Sequence, residues 1–194
     1  MSPARRNLLK WARTVHLYVT LSSLALILFF SVTGFMLNHE DWFGTDEPRV
    51  QTRTGALPTA ILREPDKLAV VELLRKDYGA IGEMDSFEQD EDRLRVVFKR
   101  PGTRVDATIQ REEGQTEVTC EYRGVAGLML DLHRGKSTGR AWSLVIDAVC
   151  VALMIIAGTG LILWWSLRGR GKYGLALIAV GLILGLAVYF KFVP

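Results

Sequence analysis

The sequence predicts an α+β membrane protein: three transmembrane helices, with an external domain of one helix packed on a four-stranded antiparallel sheet between helices 1 and 2. Three observations carry that prediction. The apolar residues, 49% of the 194, gather at the two ends of the chain instead of spreading through it. The middle alternates apolar and polar side chains with the period of two that a half-buried strand requires. The three histidines, His16, His39 and His133, all fall at the ends of apolar stretches, and none lies in the polar middle.

Residues 1–13 are a basic amino-terminal segment carrying Arg5, Arg6, Lys10 and Arg13. The first transmembrane helix follows over residues 14–38. From Thr14 to Leu37 only His16, Tyr18 and small hydroxyls interrupt the apolar run, which exceeds the ~20 residues needed to cross hydrocarbon. A removable signal would have a shorter core and a small-residue cleavage site. Here the core runs into Asn38-His39-Glu40-Asp41-Trp42, so the span is read as uncleaved.

Residues 39–140, ~100 in all, have the size of one small domain. After a linker marked by Pro48 and Pro58, Pro65-Asp66 opens a short amphipathic helix with Leu68, Val71 and Leu74 on one face, and Gly79 stops it. Four alternating runs follow: Met84 to Glu88, Leu94 to Lys99, Val105 to Gln110 and Glu117 to Tyr122. Turns at Asp90-Glu91-Asp92, Pro101-Gly102 and Glu113-Gly114 separate them, which makes a meander. The apolar stretch Val125 to Leu132 then lies along the outer membrane surface and delivers His133 to it.

Residues 141–167 form the second transmembrane helix, interrupted only by Asp147 and a few small residues. A tight loop, 168–172, leads to the third over 173–191, and residues 192–194 close the chain. Arg168, Arg170 and Lys172 in that loop match the basic amino terminus, so both flanks belong in the cytoplasm. The middle domain and the carboxyl terminus then lie outside, which in a bacterium is the periplasm. Trp11, Trp164 and Trp165 mark the inner interface, and Trp42 and Trp142 the outer one. Gly174, Gly181 and Gly185 share a face of the third span, and Gly181 and Gly185 have the small-xxx-small spacing that admits a second copy.

The net charge of +3 is not evenly placed. From Asp41 to Arg140 there are 19 acids and 16 bases, so the positive surplus belongs to the inner flanks and nothing points to nucleic acid. Cys120 in the external domain and Cys150 inside the second span do not make a disulfide framework. A GxGxxG after a strand is absent, and no nucleophile and base pair in a recognisable motif.

The histidines carry the chemistry. His16 and His39 are 23 residues apart, or ~35 Å along a helix, and so belong at opposite membrane faces. His133 enters from the same side as His39. Neutral imidazoles from two neighbouring helices can take both axial positions of a b-type haem, so His39 and His133 are the sharpest ligand pair. The competing reading makes each an interfacial anchor. His16 pairs with another protomer's His16, binds haem through one imidazole, or plays no part. Asp147 either orients a ligating imidazole through its second ring nitrogen or pairs with Arg140. Arg134 and Arg140 either neutralise haem propionates or contact lipid phosphate. The acidic run Glu88 to Asp92 is a solvated turn or, as the lesser alternative, a docking site for ferric iron.

The chain resembles the PepSY-associated transmembrane proteins. The resemblance rests on Arg13-Thr14-Val15-His16-Leu17, Thr33-Gly34-Phe35-Met36-Leu37-Asn38-His39 and Leu132-His133-Arg134-Gly135. It extends through Gly139-Arg140-Ala141-Trp142, Asp147 and Thr159-Gly160-Leu161-Ile162-Leu163-Trp164-Trp165. It implies that the external domain is PepSY-like and that His16, His39 and His133 ligate haem iron. It further implies similarity to inner-membrane ferric and ferric-siderophore reductases, with one or two b haems. Larger relatives have more spans and more histidines, so a complete two-haem path here calls for a second copy. The expected function is haem b electron transfer to ferric iron or ferric siderophore at the periplasmic face, fed by quinol or another donor. The expected assembly is a homodimer or a subunit of a membrane complex. The alternative is a membrane-tethered periplasmic binding or assembly module without a redox cofactor of its own.

Overall fold

The computed structural model describes residues 2–44, 47–63, 66–167 and 171–193, without the side chains of residues 63, 171 and 172. Arg168 and Arg170, which enter the expected orientation, lie outside the described residues, as do the Lys172 side chain, Pro65 and Pro194. The elements in chain order are α1 (Pro3–Leu37), a 3-10 turn (Glu40–Phe43), β1 (Arg49–Ala56), α2 (Ala60–Arg63), α3 (Lys67–Tyr78), β2 (Glu83–Gln89), β3 (Arg93–Arg100), β4 (Thr103–Gln110) and β5 (Gln115–Tyr122). They are followed by α4 (Gly124–Arg134), α5 (Gly139–Trp165) and α6 (Gly171–Phe192). The chain divides into two compact units, one of Leu28–Ile146 and one of Met1–Ile27 with Asp147–Pro194.

The unit Leu28–Ile146 is built on an antiparallel sheet in the order β1-β5-β4-β3-β2. The sheet has five strands, not the four expected. The additional strand is β1, paired with β5 from Arg49 opposite Tyr122 to Ala56 opposite Gln115. All eight of its residues are exposed, so Arg49 to Ala56 shows none of the alternation by which a strand announces itself. Strands β3 to β5 do alternate. Leu94, Val96, Phe98, Val105, Ala107, Ile109 and Val118 form one core with Val70, Val71 and Leu74 of α3. The Asp66 carboxylate caps α3 by accepting from the Leu68 N–H at 2.9 Å, and Gly79 ends it at φ 68°. Leu68, expected on the buried face, is 68% exposed in the first turn, and Val70 takes its place.

Helix α4 is tied to the sheet at the turn between β3 and β4. Asp131, 2% exposed, accepts through Oδ2 from the Gly102 N–H at 2.8 Å and from Arg123 at 2.5 Å. Gly102 is the second residue of the Pro101-Gly102 turn between β3 and β4, at φ 73°. A Cβ there would stand 3.0 Å from the Leu128 backbone nitrogen, so only glycine admits both the turn and the close approach of α4. The helix ends at Gly135, φ 67°, whose N–H returns to the carbonyls of Asp131 and Leu132. The indole N–H of Trp142 also donates to the Leu132 carbonyl, at 2.8 Å. The residue next to His133 is thereby held from two sides.

The other unit is helical. Three helices of the chain are long and apolar enough to cross a membrane: Pro3–Leu37, Gly139–Trp165 and Tyr173–Phe192. Arg5, Arg6, Lys10 and Arg13 fall within the first turns of α1 and do not precede it. Several hydroxyls inside the spans donate to their own helices. Thr20 and Ser23 donate to the carbonyls four residues back, His16 and Val19, each at 2.6 Å. Residues 173–192 of α6 bury none of their most apolar window, which leaves Gly181 and Gly185 with nothing near a Cβ position.

Candidate functional site

His133 lies at the end of α4 against α1. Its Nδ1 is 2.7 Å from Oγ1 of Thr33, a residue only 2% exposed. The Thr33 hydroxyl has one hydrogen, and it is directed to the Phe29 carbonyl at 2.7 Å. The oxygen can then only accept, so the imidazole donates from Nδ1–H and its Nε2 carries the lone pair. Phe30 meets the ring edge to face at 5.2 Å between centroids. A Cβ on Gly34 would come within 3.2 Å of His133 Cε1, so the glycine lets the ring lie against the α1 backbone. Burial, and after it the neighbouring Arg134 guanidinium, pull the His133 imidazole below its ordinary pKa, which favours the neutral form.

His39 lies just beyond α1 and precedes the 3-10 turn. Its Nδ1 is 3.0 Å from the Phe35 carbonyl, which can only accept, so here too Nδ1 holds the hydrogen. The ring stacks on Phe35 at 4.4 Å and against Trp42 at 4.3 Å. Glu40, next to His39, forms an ion pair with Arg134, next to His133. That pair ties together the two segments that carry the histidines.

In the other unit His16 repeats the geometry of His133. Its Nδ1 is 2.9 Å from Thr159 Oγ1, and the Thr159 hydroxyl donates to the Ile155 carbonyl at 2.6 Å. Thr159 is 4% exposed, and Gly160 follows it, with its Cβ position 3.6 Å from His16 Cε1.

Each of the three imidazoles therefore has Nδ1 committed and Nε2 without a hydrogen-bond partner among the described residues. A haem iron takes an imidazole nitrogen whose ring is fixed through the far nitrogen, and this arrangement fits that requirement. A cage of three or more His, Cys, Asp or Glu side chains for a bare cation is not found among the described residues. The sequence reading singled out the histidines but not the oxygens that orient them, which belong to Thr33, Thr159 and the Phe35 backbone. Nor did it find Glu40 as the partner of Arg134. Asp147 lies exposed on α5 and Arg140 exposed near its start, each without a hydrogen bond or ion pair among the described residues. Glu88 is in β2, and Asp90, Glu91 and Asp92 sit exposed at the β2–β3 turn.

No curated protein and no solved structure matches the chain. The family described as "Putative PepSY_TM-like" matches residues 10–194, which includes every histidine, the second and third apolar helices and the first from residue 10 on. The protein belongs to the PepSY_TM-like family.

Proposed function

We propose that this protein is a haem b electron-transfer protein of the bacterial inner membrane that reduces ferric iron or ferric siderophore at the periplasmic face for iron uptake. The observation that carries the reading is the shared arrangement of His16, His39 and His133: each is pinned through Nδ1 and has no hydrogen-bond partner at Nε2 among the described residues. His39 and His133 are assigned as the axial pair on the outer side, a reading supported by the ion pair between their chain neighbours Glu40 and Arg134. Arg134 gives one guanidinium nitrogen to Glu40 and has donors left for a propionate, and Arg140 has all of its own. His16 serves an inner position, alone or completed by a second copy across the glycine face of α6. When bound, haem supplies one-electron transfer from quinol or another donor to Fe(III). The chain's residues hold the rings in place, Phe30 against His133 and Phe35 with Trp42 against His39. The orientation follows the basic amino terminus inward, with the sheet domain in the periplasm.

The reduction step is tested directly. Protein reduced with dithionite and freed of excess reductant is mixed with a ferric siderophore in the presence of a ferrous chelator. The expected result is loss of the reduced absorption bands with stoichiometric Fe(II) trapping. Persistence of the reduced bands would reject ferric reduction and leave the sheet domain as a binding or assembly module.

A further inference from the structure

We infer that Thr33 and Thr159 are positioning residues of one repeated device, each fixing the imidazole opposite it so that Nε2 is the nitrogen offered to iron. The inference rests on the haem reading and adds the residues that select the ligating atom. The same arrangement occurs once in each unit. A threonine directs its hydroxyl to the carbonyl four residues back, Phe29 or Ile155. Its oxygen meets a histidine Nδ1, of His133 at 2.7 Å or of His16 at 2.9 Å. The next residue, Gly34 or Gly160, lies under the same ring at Cε1.

A free hydroxyl can donate or accept and would select no tautomer. Here its hydrogen is engaged by the helix, so only the accepting role remains and the imidazole must bring its hydrogen to Nδ1. A carboxylate in that place would select the same tautomer but would add a buried negative charge. Threonine does the selecting without one, which suits a site in an apolar span where an uncompensated charge is costly. The glycine keeps the space beside the ring open, most tightly at Gly34, where a Cβ would stand 3.2 Å from His133 Cε1. Thr33 and Thr159 are both nearly fully buried, unlike Ser22 and Ser31, which are exposed on their helix.

The test uses full-length protein with 15N-labelled histidine, purified in detergent without haem, at a pH above the imidazole titration. The 15N shifts report which ring nitrogen holds hydrogen. Wild type is expected to show His16 and His133 protonated at Nδ1. Thr33→Val is expected to move His133 toward the Nε2-protonated form and leave His16 alone, and Thr159→Val to do the reverse. Thr33→Ser and Thr159→Ser should restore the wild-type pattern. Thr33→Ala and Thr159→Ala, read the same way, cover a valine that disturbs packing. Tautomers unchanged in both the valine and alanine variants would overturn the inference. Haem content, measured on the same proteins from haem-replete cells, separates the two claims. Haem-free wild type with threonine-dependent tautomers removes the haem reading and supports the positioning role. Haem-bound protein with threonine-independent tautomers overturns the positioning role alone.

Discussion

At the scale of single residues, the molecule's chemistry depends on which atoms can no longer choose a partner. The histidines were legible in the sequence because each stands where an apolar run ends. Thr33 and Thr159 were not, since a threonine in a membrane helix ordinarily bonds its own backbone and both do so. Their second contact depends on another helix, which spacing along one helix cannot reveal. Gly34 tests the fit of the ring. Gly34→Ala places a Cβ 3.2 Å from His133 Cε1, and turning the ring away costs about 1 kcal/mol. Haem retention on titration should fall several-fold, whereas Gly158→Ala, with nothing within 4 Å, should leave it unchanged. Asp106 sets a pH dependence in the sheet. Its hydrogen bond with Arg95, opposed by burial and aided by Arg104, holds the carboxyl below the usual carboxylate range. A folded pKa below the unfolded one gives stability that is present above the unfolded value and lost as pH falls through the folded one. Asp106→Asn should therefore flatten the acid limb of the unfolding midpoint measured against pH. The effect should be modest, because the Arg95 side chain is 47% exposed and solvent screens the pair.

At the scale of elements, strands with a buried face were readable and the one without was not. β3, β4 and β5 each send alternate side chains into the core, whereas Arg49 to Ala56 is held by its backbone pairing with β5 and by polar contacts such as Arg53 with the Tyr78 carbonyl. The Val125 to Leu132 stretch was read as apolar surface, and its helical form depends on a contact that sequence does not display. Asp131 is the one carboxylate of α4, and it reaches the turn between β3 and β4, 29 residues away. Asp131→Ala leaves the Gly102 N–H and Arg123 without that acceptor and should destabilise the sheet domain by about 2 kcal/mol. Urea unfolding followed by near-ultraviolet circular dichroism measures it, and an unchanged midpoint would show that the Asp131 carboxylate does not hold α4.

At the scale of the whole chain, three apolar helices and a match over residues 10–194 make this a membrane protein of the PepSY_TM-like family. Both units carry a histidine, a threonine and a glycine in the same relation, so one local arrangement is used twice. The central claim is that these imidazoles hold haem b. The most direct measurement is a reduced-minus-oxidised absorption spectrum of detergent-purified protein from haem-replete cells, recorded for wild type, His39→Ala and His133→Ala. The account predicts Soret and α bands in wild type, with the outer haem's contribution lost in both variants. Wild-type protein without those bands would contradict the claim, and bands undiminished in both variants would contradict the assignment of His39 and His133.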